Sequence, residues 1–144
     1  MKALLYWYVL WLAGLSLAWE VLQTPLYTLW MEERPAYVAF SIVHCTAGDV
    51  LIGSASLLLA VILGREAAPA QWHWWRIAAL LLLMGVGYTI FSEWLNTSLD
   101  RWTYSELMPT LKAAGMEIGL SPLLQWLLVP PLALYLARRR AVAV

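Results

Sequence analysis

Charged residues are scarce in this chain: Asp, Glu, Lys and Arg together make up 12% of it. A soluble domain carries about 25% charged residues, so water is not the solvent for most of this surface. Cys45 is the single cysteine, which excludes an intramolecular disulfide and leaves the redox compartment undetermined. The formal net charge is zero, so no basic surface points to a nucleic-acid partner.

Motifs that carry catalytic chemistry or bind cofactors are also missing. The sequence has no nucleophile elbow, phosphate-binding loop, haem-attachment motif or zinc-protease motif. His44 and Cys45 are adjacent, so on a helix their side chains point about 100° apart rather than toward one ion. His73 lies on the other side of the membrane in the topology described below. We therefore expect no metal site and no cofactor.

Long apolar runs are what the chain does have, and 62% of its residues are apolar. A helix needs about 20 mostly apolar residues to cross the roughly 30 Å hydrocarbon core of a bilayer. Little sequence is left outside the runs that qualify, so we expect an all-α, polytopic four-transmembrane-helix bundle that forms a single domain over residues 1–144. The predicted spans are residues 3–30, 37–64, 77–95 and 121–137.

Lys and Arg residues predict the orientation, because cytoplasmic loops carry an excess of them. Four spans place both termini on one side. Six of the nine basic residues fall on that side and three on the other, which predicts cytoplasmic termini and an external loop over residues 96–120. The cytoplasmic set is Lys2, Arg65, Arg76, Arg138, Arg139 and Arg140; the external set is Arg34, Arg101 and Lys112.

Three further features are predicted, for the external segment, for the membrane interface and for the last span. The long external segment is expected to lie on the membrane or fold over its outer face, and Trp30, Trp94, Trp102 and Trp126 are expected to form an outer interfacial belt. Of these, Trp126 is the tryptophan expected to line a cavity. Pro130 and Pro131 are expected to weaken the fourth helix.

Ionisable residues inside the spans form the candidate site, since such groups usually face the bundle interior or a cavity. At 1.5 Å per residue, Glu20 lies roughly 25 Å up the first helix, in the outer part of the bilayer. Glu93 and Gln125 fall in the same layer on the third and fourth helices. His44 and Asp49 lie roughly 10 Å and 18 Å below the outer edge on the second helix. One shared depth favours one shared polar cavity, with Asp49 beneath it.

Helical spacing adds support for a shared cavity. Glu20 and Gln23 lie on one helix face, as do Glu93 and Asn96, whereas His44 and Asp49 point in different directions. The candidate catalytic residues are Glu20, His44, Asp49 and Glu93, because carboxyl and imidazole groups in a low-dielectric pocket exchange protons with a bound molecule. The candidate ligand-binding residues are Gln23, Asn96, Gln125 and Trp126.

Two segments resemble those of short bacterial inner-membrane proteins that have no assigned function. These segments are Trp19-Glu20-x-x-Gln23-x-Pro25-Leu26-Tyr27-Thr28 and His44-Cys45-Thr46-x-Gly48-Asp49. The resemblance implies a multi-pass protein of the bacterial inner (plasma) membrane, but it implies no activity.

A fainter resemblance is to the emopamil-binding-protein superfamily, which includes sterol isomerases and sigma-2-type receptors. It rests on Glu20 with Gln23 and Pro25, on the polar second helix, on an aromatic residue and an acid late in the third helix, and on Gln125-Trp126 with Pro130. The resemblance implies intramembrane acids around a lipid or amine cavity, and it adds Tyr88 to the ligand-binding candidates. His44, Cys45 and Asp49 compete for the place of the acid in the family's second helix, so isomerase activity is not carried over.

Three functions remain open on the sequence. The first is a membrane protein that binds a lipid-like or amphiphilic molecule in an outward-biased cavity, with isomerase-like acid/base chemistry as an extension. The second is a non-catalytic accessory subunit or assembly factor, whose partners would be other membrane subunits. The third is metal or proton translocation, which the apolar inner half of the third helix (residues 77–83) disfavours.

Overall fold

Four long helices dominate the computed structural model, which describes residues 2–66, 72–113 and 115–142. Each of them is long and apolar enough to cross a bilayer, so the predicted all-α, four-helix membrane protein is confirmed. A short helix, α2, follows the first long one. The helices are α1 (Lys2–Gln23), α2 (Leu29–Glu32), α3 (Pro35–Gly64), α4 (Trp74–Ser98) and α5 (Leu120–Val142).

The first helix ends earlier than the predicted span, which continued to residue 30. α1 stops at Gln23, and a 3-10 turn over Thr24–Leu26 leads to α2. Pro25 explains this end, because it has no N–H group to donate and disfavours helical backbone at the residue before it. Pro35, by contrast, occupies the first turn of α3, where a missing N–H costs nothing.

Pro130 and Pro131 do not interrupt the last long helix, which the sequence predicted to be weakened there. α5 runs without a break from Leu120 to Val142 and contains both prolines. Pro130 is buried, and so are Val129 and Ala133 beside it, so neighbouring helices enclose this part of α5. Such packing lets a membrane helix tolerate proline.

The segment between α4 and α5 contains a β-hairpin that the sequence did not predict. Strands β1 (Thr110–Ala113) and β2 (Met116–Gly119) pair antiparallel, with Thr110 opposite Gly119. Gly115 lies in the turn with a φ of 76°, in the left-handed region that glycine adopts without strain. Residues 99–119 are called the cap segment below. The end of the bundle that carries this segment is the cap end, and the end that carries both termini is the terminal end.

The bundle is a ring in which each long helix packs against two neighbours, in the order α1, α3, α4, α5. Its apolar core lies in the half nearer the terminal end. Tyr8 and Leu12 of α1, Leu57 of α3 and Leu81 of α4 are almost fully buried there. In the half nearer the cap end, most of the buried side chains of α1 and α4 are polar, so the two halves are built differently.

Candidate functional site

The buried stripes of α1 and α4 lead directly to the site. α1 buries a residue at each turn through Ser16, Glu20 and Gln23, and α4 does so through Thr89, Glu93 and Asn96. Residues four apart share one helix face, so each stripe continues the core-facing side of its helix. Glu20 and Glu93 therefore face the inside of the bundle.

A hydrogen-bonded cluster joins α1, α3 and α5, and it is called the polar cluster below; its members are Glu20, Gln23, Asp49 and Gln125. The amide nitrogen of Gln125 donates to Oε1 of Glu20 at 3.2 Å and to Oδ2 of Asp49 at 2.6 Å. The amide nitrogen of Gln23 donates to Oε1 of Glu20 at 2.9 Å and to Oε1 of Gln125 at 3.2 Å. Asp49 thus joins the cluster directly through Gln125.

Gln23 is held in place by two further donors. Its carbonyl oxygen accepts a hydrogen bond from Ser121 Oγ at 2.9 Å and from Trp19 Nε1 at 3.2 Å. With both amide hydrogens and the oxygen engaged, the orientation of the Gln23 side chain is determined. The two glutamines therefore present their nitrogens to the carboxylates, and the two carboxylates share one nitrogen donor.

Glu93 forms a second acidic group, and its partner comes from the cap segment. The hydroxyl of Tyr104 donates to Oε2 of Glu93 at 2.5 Å and accepts from the backbone N–H of Gly119 at 2.9 Å. Burial raises the pKa of Tyr104 above its ordinary value, and the hydrogen bond to Glu93 raises it further. The phenol therefore stays protonated and acts as a donor to Glu93.

The cap segment is attached to the chain just after α1. The backbone N–H of Thr28 donates to the carbonyl of Thr103, and that of Ser105 donates to the carbonyl of Leu26. The ring of Tyr27 lies against the ring of Tyr104, with centroids 5.7 Å apart. Burial and the nearby Glu93 raise the pKa of Tyr27. These contacts place the Tyr104 hydroxyl over the bundle.

A cavity of about 320 Å³ lies between the polar cluster and Glu93. All four long helices contribute to its wall, and the cap segment contributes Arg101 and Trp102. Within the described ranges, none of the three cavity carboxylates forms a salt bridge, either with Arg101 of the cavity wall or with another basic residue. The predicted site residues that line the cavity are Glu20, Gln23, His44, Asp49, Tyr88, Glu93, Asn96, Gln125 and Trp126.

His44 differs from the other predicted residues in its surroundings. It lines the cavity but is exposed in the isolated chain, and its ring stacks on that of Phe40 at 5.6 Å. Asp49 bonds to Gln125 instead, so the two side chains do not meet at one point, in keeping with their five-residue separation. Asn96 bonds to Ser92 within α4, through its backbone carbonyl at 2.8 Å and its hydroxyl at 3.2 Å.

In the described parts of the chain, no group of three or more His, Cys, Asp and Glu side chains is placed to hold an ion. The two carboxylates of the polar cluster are instead bridged by an amide nitrogen. A carboxylate has two oxygen atoms, and the hydrogen bonds above engage one oxygen of each of the three carboxylates. The second oxygen of each can therefore accept a hydrogen bond from a ligand.

Sequence reasoning missed several residues of the site. Tyr27, Trp102 and Arg101 line the cavity, and Tyr104 bonds to Glu93. The sequence assigned Trp102 to an interfacial belt because its only signal was its position near a membrane surface. Long-range contacts bring these side chains together, and neither periodicity nor depth along a helix reports such contacts.

Fold and site together define a multi-pass α-helical membrane protein with an acidic cavity between its helices. Comparison with known proteins adds no relative: no family model, no curated protein and no solved structure matches this chain. The two resemblances read from the sequence therefore stay predictions.

Proposed function

We propose that this protein binds an amphiphilic molecule, with the polar head group in the acidic cavity and the apolar part among the helices. The observation that carries the proposal is the convergence of Glu20, Asp49 and Glu93, from three different helices, on one cavity. Burying carboxylates in a bilayer is costly, so a protein without a use for them would place apolar residues there. A binding site accounts for the cost.

The chemistry of the wall indicates which head groups fit. Carboxylate oxygens accept hydrogen bonds and attract positive charge, and two carboxylates that share one donor repel each other. A head group that donates hydrogen bonds and carries a positive or zero charge relieves that repulsion, whereas a phosphate or carboxylate adds to it. Aromatic walls from Tyr88, Trp102 and Trp126 suit the carbon atoms next to such a head group. An amine or a polyol is therefore favoured.

We place the termini in the cytoplasm and the cavity near the outer face of a bacterial inner membrane, as the basic residues and the resemblance predict. A proton shift in the bound molecule stays an extension of the binding proposal, since carboxyl groups exchange protons with a ligand they touch. Translocation receives less support, because the packed apolar core of the terminal half offers no polar path.

The test is ligand binding by full-length protein in nanodiscs. Three probes that share one alkyl chain are compared: a primary amine, a monoacylglycerol and a fatty acid. We expect the amine and the glyceride to bind and raise the melting temperature, and the fatty acid to do neither. Glu20→Gln, Asp49→Asn and Glu93→Gln should each weaken binding of the amine at least about tenfold, which corresponds to about 1.4 kcal/mol.

Glu106→Gln and Glu32→Gln are the matched controls, since both residues are exposed and neither lines the cavity. They should leave binding unchanged. If the three cavity variants bind the amine as the controls do, and keep the native melting temperature and co-purifying lipid, the binding proposal fails. The accessory-subunit function then becomes the better account of the chain.

A further inference from the structure

We infer that the cavity is entered sideways from the bilayer, through a mouth between α3 and α4. The mouth is bounded by Ser41, His44 and Gly48 on α3 and by Tyr88 and Ser92 on α4. This inference rests on the proposed binding function and names the route and the physical state of the ligand: a membrane-resident lipid that keeps its tail in the leaflet at the cap end.

The size of the cavity supplies the first argument. The cavity has a volume of about 320 Å³. Ligand pockets run from roughly 300 to 1,000 Å³, so this cavity is at the lower limit. It holds a head group and a few carbon atoms but not a complete lipid. A ligand with a long tail must therefore leave that tail outside the cavity, among the acyl chains.

The burial pattern of α3 supplies the second argument. α1, α4 and α5 bury side chains at each turn through the cap half, whereas no residue between Val38 and Gly53 of α3 is buried. Residues 39–52 cover about 21 Å of helix at 1.5 Å per residue. Over that length α3 lines the cavity without burying a side chain fully, and toward the terminal end Asp49 bonds to Gln125 and Val50 packs against the apolar core.

Two other seams of the bundle, α1–α5 and α4–α5, are closed by direct contacts. Ser121 and Gln125 of α5 bond to Gln23 of α1, which ties α1 to α5. Between α4 and α5, a Cβ atom added at Gly85 would overlap the ring of Trp126, so these helices are in close contact. The route through α3 and α4 is lined instead by small or polar residues and by Tyr88.

Three side chains of the cavity wall are exposed; Arg101 belongs to the cap segment, and the other two lie at the seam between α3 and α4. Tyr88 is 43% exposed and His44 is exposed as well, yet both belong to the cavity wall. An imidazole at the surface of a membrane span is costly against acyl chains alone. Stacking on Phe40 holds it at the edge of the opening, where it can contact a passing or bound head group. A mouth at this position therefore accounts for the exposed imidazole of His44, which contact with acyl chains alone would not.

Cys45 provides a reporter for the route, because it lines the cavity and is the sole thiol of the chain. Protein in nanodiscs is treated with a long-chain alkyl maleimide that partitions into the bilayer, or with a sulfonated maleimide that stays in water. The same thiolate sulfur adds to the maleimide double bond of both reagents, so the ratio of the two labelling rates removes the intrinsic reactivity of this thiol. We expect the alkyl reagent, at equal bulk concentration, to label Cys45 at least about tenfold faster, a barrier difference of about 1.4 kcal/mol.

Blocking the mouth should abolish that advantage. A Cβ atom at Gly48 meets nothing within 4 Å, so the backbone position accepts a side chain, and Gly48→Leu adds bulk at the opening. Gly87 on α4 is equally free of contacts and does not line the cavity, which makes Gly87→Leu the matched control. Labelling by the alkyl reagent should fall about tenfold in Gly48→Leu and stay unchanged in Gly87→Leu. Ser41→Leu is the second blocking variant, to be used if Gly48→Leu lowers the melting temperature.

Each other outcome overturns the lateral route. Equal rates for the two reagents would show an opening to water. An unchanged alkyl rate in both blocking variants would place the entry elsewhere, and no labelling by either reagent before denaturation would show a closed cavity. Because thiol labelling requires no bound ligand, these results are independent of the binding test: the mouth can be present when the amine does not bind, and absent when it does.

Discussion

Along α1 the buried stripe changes from Leu4, Tyr8 and Leu12 in the terminal half to Ser16, Glu20 and Gln23 in the cap half. The same backbone thus supports apolar packing at one end and a hydrogen-bonded cluster at the other. Helices in lipid gain no hydrophobic stabilisation from meeting each other, so close packing and interhelical hydrogen bonds hold them together. The terminal half is held together by close packing, whereas the cap half is held together by interhelical hydrogen bonds and contains a cavity.

The difference between the halves suggests a division of roles, with the terminal half contributing most of the stability and the cap half contributing the ligand site. Removing atoms from the packed half leaves a void that neighbours cannot fill, which costs free energy of unfolding. Removing a carboxylate from the cap half relieves the repulsion between Glu20 and Asp49 while taking away a ligand contact. We therefore expect terminal-half variants to lose stability and cap-half variants to lose binding. The following predictions test that division.

The largest effect should come from Leu81→Ala in the terminal half. Leu81 is fully buried at 0% exposure, so truncation should lower the free energy of unfolding by about 2–5 kcal/mol. Binding of the alkyl amine should persist at temperatures where the variant is folded. Leu83→Ala is the control on the same helix, since Leu83 is 72% exposed, and it should change stability by less than about 0.5 kcal/mol. Denaturant titration in detergent measures both, and equal losses would contradict the division.

The boundary between the halves is tested by Gly85→Ala. The new methyl group would overlap the ring of Trp126, a large side chain that cannot move without disturbing the cavity wall. Overpacking of this kind costs about 1–3 kcal/mol, and we expect amine binding to weaken as well. Gly87→Ala, where the methyl group meets nothing, should leave both quantities unchanged. A Gly85→Ala variant with native stability and binding would show that α4 and α5 separate easily.

The attachment of the cap segment is tested by Tyr104→Phe, which removes the donor to Glu93 and the acceptor for Gly119. We expect a loss of about 0.5–1.5 kcal/mol per hydrogen bond and faster amide hydrogen exchange across residues 110–119. Tyr37→Phe changes an exposed tyrosine near the same end and should leave exchange at native rates. If exchange in the hairpin is unchanged in Tyr104→Phe, the cap segment is held mainly by its other contacts.

The smallest effect concerns the pH dependence of stability. Because the folded chain raises the pKa of Tyr104 above the ordinary 10.0, the unfolded chain releases its phenolic proton first as the pH rises. The contribution of Tyr104 to the free energy of unfolding is therefore fully present below pH 10 and is lost as the pH rises above it. The native protein should therefore lose more stability between pH 9 and 11 than Tyr104→Phe does, as thermal melts at each pH would show. Parallel curves for the two proteins would mean that Tyr104 is not buried in solution.

Much of the candidate site could be predicted from the sequence because depth along a transmembrane helix is a simple function of residue number. Glu20, Glu93 and Gln125 were placed in one layer by this reasoning, and the structure brings all three to one cavity. The direction in which each side chain points was harder to predict than its depth. His44 lines the cavity but is exposed beside Phe40, since the rotation of α3 about its axis is decided by packing against its neighbours.

The sequence by itself determined that the chain crosses a membrane, how many times it does so and where most of the spans lie, because each apolar run satisfies its own backbone hydrogen bonds as a helix. Only the tertiary structure decided that one amide of Gln125 joins Glu20 to Asp49, that Tyr104 reaches Glu93, and that a hairpin closes the cap end. These contacts depend on the packing of elements far apart in the chain. Periodicity and composition describe each helix alone, and they carry no information on the distance between side chains of different helices.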